Sequence, residues 1–220
     1  MRFLALALVL GLIVCCVGCN GGDSNTSSNV TYFDGKETVE LTAESIGEQV
    51  KAGTMDIEFE GAPVQTDTQV HAHGDTVRAT VNLGMDSTAL AELLAPSGYV
   101  SEEHRKVGEN YIRHECGNSL TAYFYYTNDD RKNGLASVVY FGTAYGFEPT
   151  VTTIDQVKQV MGTPLAEGPA DEKALAMFLF YEPGYSYIDY KCGNNHVSFF
   201  FHENGTLGAT VIYQDGLWIY

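Results

Sequence analysis

Basic residues are scarce in this 220-residue chain: 12 Lys and Arg stand against 28 Asp and Glu, a net charge of −16. A nucleic-acid partner needs clusters of Lys and Arg to neutralise its phosphates, so the deficit excludes one. Long acidic runs are absent too, and the short Asn128-Asp129-Asp130 stretch reads as turn chemistry. The sequence also lacks a Gly-x-Ser-x-Gly elbow, a phosphate-binding loop and a His-Glu-x-x-His pair. An enzyme would therefore have to work without any of these motifs. What the chain does have is core material, with 14 Tyr and 11 Phe, which excludes disorder over most of its length.

The N-terminus has the layout of an export signal. Met1-Arg2-Phe3 is followed by an apolar run from Leu4 to Val14 and then by Cys15-Cys16-Val17-Gly18-Cys19. A permanent membrane helix needs about 20 apolar residues, more than this run supplies. Val17-Gly18-Cys19 resembles the lipobox of bacterial lipoproteins, in which a small residue precedes the cysteine that is lipidated and becomes the new N-terminus. Cys16 stands where that pattern usually has Leu. The resemblance implies a signal peptide over 1–18, lipidation at Cys19 and an extracytoplasmic protein held to a membrane by its lipid. Residues 19–30 are rich in Gly, Ser and Asn, the composition of a flexible tether. Without the signal, 11 basic residues face 28 acidic ones, a net charge of −17.

An internal echo organises the rest. Tyr111-Ile112-Arg113-His114-Glu115-Cys116-Gly117-Asn118 returns 76 residues later as Tyr187-Ile188-Asp189-Tyr190-Lys191-Cys192-Gly193-Asn194. It runs on without a gap, matching Ala122–Tyr125 to Ser198–Phe201. The expected divisions are an N-terminal α+β segment over 31–85, a first repeat over 86–145 and a second over 150–220. Helices are expected over Ala43–Ala52, Ser87–Ala95 and Thr153–Met161, from apolar spacing and from Pro96-Ser97-Gly98 and Gly162 as terminators. Strands are expected at 55–60, 69–83 (turning at Gly74-Asp75), 176–181, 185–192, 196–202 and 207–213, with matching strands in the first repeat. The fold class that follows is α+β: an antiparallel sheet with short helices packed on one face, built from tandem helix-then-strands repeats.

Alternation assigns the faces of the sheet. Ile188, Tyr190, Cys192, Val197, Phe199 and Phe201 take the apolar side, beneath the helices. The other side carries the candidate binding residues Arg113, Phe124, Tyr126, Tyr187, Asp189, His196, Phe200 and His202. Aromatic rings interspersed with polar groups on an open face suit protein recognition. A further layer covering that face is the alternative.

The helix ending in Gly162-Thr163-Pro164, the aromatic strand Phe178–Tyr181 and the paired strands from Phe201 to Ile212 together resemble the β-lactamase inhibitor protein-like fold. Small lipoproteins of outer-membrane assembly share that fold. The match covers about 150–213, and the first repeat matches only in its strands. The resemblance implies tandem helix-and-meander units that bind other proteins through the sheet, with no inhibitory residue that can be carried over.

Groups that could carry chemistry are few. His71 and His73 share a strand face, but two ligands do not make a metal site. Asp56, Glu58 and Glu60 alternate on one strand and read as a solvated face. Cys116 and Cys192 hold equivalent places in the repeat and read as buried thiols, an oxidised pair being the alternative. The expected function is a non-catalytic, membrane-anchored module with an unidentified protein partner and with no cofactor or metal. A ligand- or metal-capturing lipoprotein and a hydrolase with a motif-free active site are the competing readings.

Overall fold

The computed structural model describes residues 41–59, 63–66, 69–73, 76–97, 102–104, 111–116, 122–127, 134–170 and 184–216. The signal, the tether, Cys19 and the strand expected at 176–181 lie outside them. Capping chemistry sets the helix starts. Thr42 Oγ1 accepts from the N–H of Ser45 while Ser45 Oγ accepts from the N–H of Thr42, both at 3.1 Å, which opens α1 at Ala43–Ala52. Asp86 takes the N–H groups of Thr88 and Ala89, both at 2.9 Å, and opens α2 at Ser87–Leu94. Thr153 and Gln156 form a second capping box ahead of α3, Ile154–Met161. The 3-10 turn Ala95–Ser97 follows α2.

The strands are β1 Thr54–Phe59, β2 Pro63–Thr66, β3 Gln69–His73, β4 Val77–Asn82, β5 Glu102–His104, β6 Tyr111–Cys116, β7 Ala122–Thr127, β8 Leu135–Tyr140, β9 Ala166–Pro169, β10 Ser186–Cys192, β11 Asn195–Phe201 and β12 Leu207–Gln214. Eight of them form one antiparallel sheet in the order β5-β6-β7-β8-β12-β11-β10-β9. Two four-stranded meanders thus meet edge to edge through their last strands, β8 and β12. Among the described strands, β5 and β9 are the outer ones, and both are short.

The sequence does not announce β2, β5 or β9, and it misleads about one pairing. Residues 69–73 and 77–82 flank Gly74-Asp75 like a hairpin, yet β3 pairs with β2 and β4 pairs with β1. The β1–β4 register sets Met55 opposite Val81 and Ile57 opposite Ala79. Met55, Ile57 and Val81 are all buried there. Aligning these apolar pairs outweighs the local turn.

One core cluster joins Ile46 and Val50 of α1, Leu90 and Leu94 of α2, and Val157 and Met161 of α3 to one side of the sheet. That side includes Val138, Tyr140, Ile188, Val197, Phe199, Phe201 and Ile212. The N-terminal segment is fastened to the sheet by polar contacts as well. Asn195 Nδ2 donates to the carbonyls of Val50 and Lys51 at 3.0 and 3.1 Å, satisfying the end of α1. Tyr140 OH donates to Glu58 O at 2.6 Å and accepts from Glu58 N–H at 2.8 Å. Tyr145 OH donates to Thr54 O at 2.7 Å, and burial pushes its phenol well above the usual range. Gly134 has φ +77°, and a Cβ there would lie 2.0 Å from the Gly84 carbonyl oxygen, so only glycine fits.

The two meanders are not in ungapped step. Cys192 pairs with Asn195 across two residues, whereas Cys116 pairs with Ala122 across five. Three extra residues, an odd number, move the following strand's register positions to the opposite side relative to the 76-residue echo. Phe124, which the echo aligns with Phe200, instead pairs with Val138, and Tyr126 pairs with Leu135; both partners belong to the core cluster. The register positions of Phe124 and Tyr126 are therefore on the other side of the sheet from Phe200, a correction to the expected binding surface.

Candidate functional site

The sheet side facing away from the core cluster holds a connected set of polar side chains on β10, β11 and β12. Strand pairing places them. The tight turn at Gly193-Asn194, with Gly193 at φ +66°, fixes the β10–β11 register. Asp189 then lies opposite Ser198, and Lys191 opposite His196; the next strand sets Tyr213 beside His196. Asp215 follows the end of β12.

Asp189 is fully buried. Its Oδ1 accepts from Ser198 Oγ at 2.6 Å and from Tyr213 OH at 2.7 Å, and its Oδ2 lies 2.9 Å from His196 Nδ1. His196 stacks on Tyr213, with ring centroids 4.9 Å apart at 22°, and its Nε2 lies 3.2 Å from Asp215 Oδ1. Asp215 Oδ2 in turn accepts from Lys191 Nζ at 2.5 Å. The result is a chain of contacts from the interior to solvent. A buried carboxyl group needs polar partners, and two hydroxyl donors and an imidazole nitrogen converge on Asp189. At the far end, Lys191's hydrogen bond is the largest influence holding the Asp215 carboxyl below the ordinary aspartate range. Partial desolvation opposes this, and the contact with His196 adds to the lowering.

This arrangement contains Ser, His and Asp but does not build a nucleophile. Ser198 donates to Asp189 rather than to the imidazole, and both imidazole nitrogens already face carboxylates. No ring nitrogen is placed to take a proton from the hydroxyl, as nucleophilic serine chemistry requires. The acids and the histidine string out in a line, and among the described residues no group of three or more His, Cys, Asp and Glu could hold a metal ion. Ser137, opposite Tyr213 on β8, is buried, and its hydroxyl has no hydrogen-bond partner among the described residues.

The expected open binding face is corrected at three further positions. Asp189, His196 and Phe200 are 0%, 5% and 0% exposed and cannot contact a partner as they stand. Their neighbours Val139, Ala209, Val211 and Tyr213 are buried as well, so both sides of the sheet centre are interior. Tyr187 and His202 remain half-buried, His202 packing against Tyr185 at 4.9 Å between centroids. Arg113 pairs with Tyr125, which pairs with Ser137, so its register position is on the side of Asp189. Phe124, Tyr126 and Arg113 lie on described strands, but their side chains are outside the description, as are those of His71 and His73. Asp56 and Glu58 are exposed and engaged across β1–β4, with Thr80 at 2.5 Å and Arg78 at 2.9 Å. Glu60 lies outside the described residues. Cys192 is buried in the core cluster. Five strand spacings of about 4.8 Å separate β10 from β6, roughly 24 Å along the sheet, so Cys116 and Cys192 are too far apart to bridge. Sequence reasoning missed Ser198 and Tyr213 as partners of Asp189. The signal was available, since a two-residue turn at Gly193-Asn194 fixes which residues face each other.

No family model and no curated protein matches the chain. Among solved structures, the crystal structure of a DUF4309 family protein (YjgB) from Bacillus subtilis is similar over 80% of this chain and 100% of that one, with TM-score 0.45 and 10% identity. A likeness that distant assigns neither fold nor activity, and the comparisons show neither a β-lactamase inhibitor family nor a lipoprotein family.

Proposed function

We propose that this chain is an extracytoplasmic lipoprotein, held to a membrane by a lipid on Cys19, whose folded part is a non-catalytic protein-binding module of the β-lactamase inhibitor-like kind. The anchoring half rests on Val17-Gly18-Cys19 and the polar tether that follows it. The observation that carries the binding half is the hydrogen-bond network around the buried Asp189. Ser198, Tyr213 and His196 are all engaged with Asp189, which ties β10, β11 and β12 together and leaves no nucleophile–base pair in the cluster. Binding then falls to the half-buried rim of the sheet, where Tyr187 and His202 offer an aromatic ring and an imidazole.

The test joins binding with stability. Tyr187→Ala and His202→Ala, introduced together in the full chain, are expected to abolish chemical cross-linking to partners in the native membrane. The melting temperature should stay near that of the unsubstituted protein. Truncating an anchor that fills a partner's pocket costs ~2 kcal/mol or more, around thirtyfold in affinity. Cross-linked species that persist unchanged in the double variant would count against this surface.

A further inference from the structure

The polar chain on β10, β11 and β12 has one end sealed and one end in water. Asp189 is fully buried, whereas the side chains of Asp215 and Lys191 keep 49% and 41% of their exposure. Asp215 is the point where three pieces of the sheet are tied together. Its Oδ2 accepts from Lys191 of β10 at 2.5 Å, and its Oδ1 meets His196 of β11 at 3.2 Å. Its own N–H donates to the carbonyl of Asn194, in the β10–β11 turn, at 2.8 Å. His196 is the next link inward, bonded to Asp189 and stacked on Tyr213.

We infer that Asp215 is an acid-released clasp, holding the end of β12 and the β10–β11 turn closed over the buried Asp189 cluster. The charged and titratable groups around it are Lys191 from β10 and His196 from β11. Asp189 lies behind the imidazole, and Tyr213 of β12 lies against it. Lys191's hydrogen bond holds the Asp215 carboxyl below its ordinary range, so the carboxyl is more acidic folded than unfolded. A group of that kind contributes stability above its unfolded value, and the contribution is lost as pH falls through the folded one. Protonation neutralises the charge that faces Lys191 and removes an acceptor from the pair of contacts. The change is local, because Asp215 stands half in solvent and screening limits what the pair contributes.

Hydrogen exchange on the full chain in detergent tests the clasp, with each rate corrected for the intrinsic effect of pH. At neutral pH, Asp215→Asn should speed exchange at the end of β12 and in the 193–195 turn by roughly two- to fivefold, leaving β8 and the helices unchanged. The unsubstituted chain should show the same local increase as pH drops below the ordinary aspartate range, and Asp215→Asn should show no further one. Lys191→Met, which keeps the carboxylate, should shift the acid-induced opening to higher pH. Wild-type protection of the β12 end in Asp215→Asn would overturn the clasp, and so would an acid-induced local opening that survives in that variant.

Discussion

Asp189 shows what a sheet must supply to keep a carboxylate inside. Two hydroxyls and an imidazole converge on its two oxygens, each from a position dictated by strand register rather than by proximity in sequence. Phe200, on the same side of the sheet and fully buried, makes the apolar counterpart of that interior. Phe200→Ala is therefore expected to cost ~3–5 kcal/mol of stability, read as a lowered denaturation midpoint. On an open face the same truncation would stay near 1 kcal/mol or below. Alternation along β10 and β11 correctly grouped Asp189, His196 and Phe200 on one side. Alternation gives a residue's face, though, and says nothing of what covers that face. A fully buried, triply bonded aspartate and a solvated one read alike in a single strand.

At the scale of elements, local chemistry was the legible part. The three helices could be placed from apolar spacing and from terminators such as Gly162 and Pro96-Ser97-Gly98, and the second meander from aromatic runs bounded by Gly-Asn and Asn-Gly. The short outer strands β5 and β9 were not legible, because three or four residues are too few to show a period. The ungapped echo concealed the longer β6–β7 turn, since aromatic residues continue through both alignments. That error put the register positions of Phe124 and Tyr126 on the side opposite to the one their strand pairing gives. Long-range fastening was also invisible, and Asn195 is the plainest instance. Its side chain satisfies two carbonyls at the end of α1 from more than 140 positions away. Asn195→Ala should cost ~1 kcal/mol, with hydrogen exchange in the last turn of α1 rising before that of β11. Equal loosening of α1 and β11 would mean that the side chain serves the β10–β11 turn instead.

At the scale of the molecule, a strongly acidic, well-packed domain follows an N-terminal segment that, on the proposed reading, is a leader over 1–18 ahead of Cys19. The charge opposes direct adsorption to anionic lipid, so on the proposed reading the lipid at Cys19 is what keeps the module at the membrane. The described elements all follow Cys19 in sequence, so the fold is expected to be independent of it. Metabolic labelling with palmitate, followed by fractionation of the unsubstituted chain and of Cys19→Ser, tests this central claim most directly. The account predicts label and membrane association in the unsubstituted chain and loss of both in Cys19→Ser, with an unchanged melting temperature. Label that persists in Cys19→Ser, or an unsubstituted chain that takes up none, would contradict it.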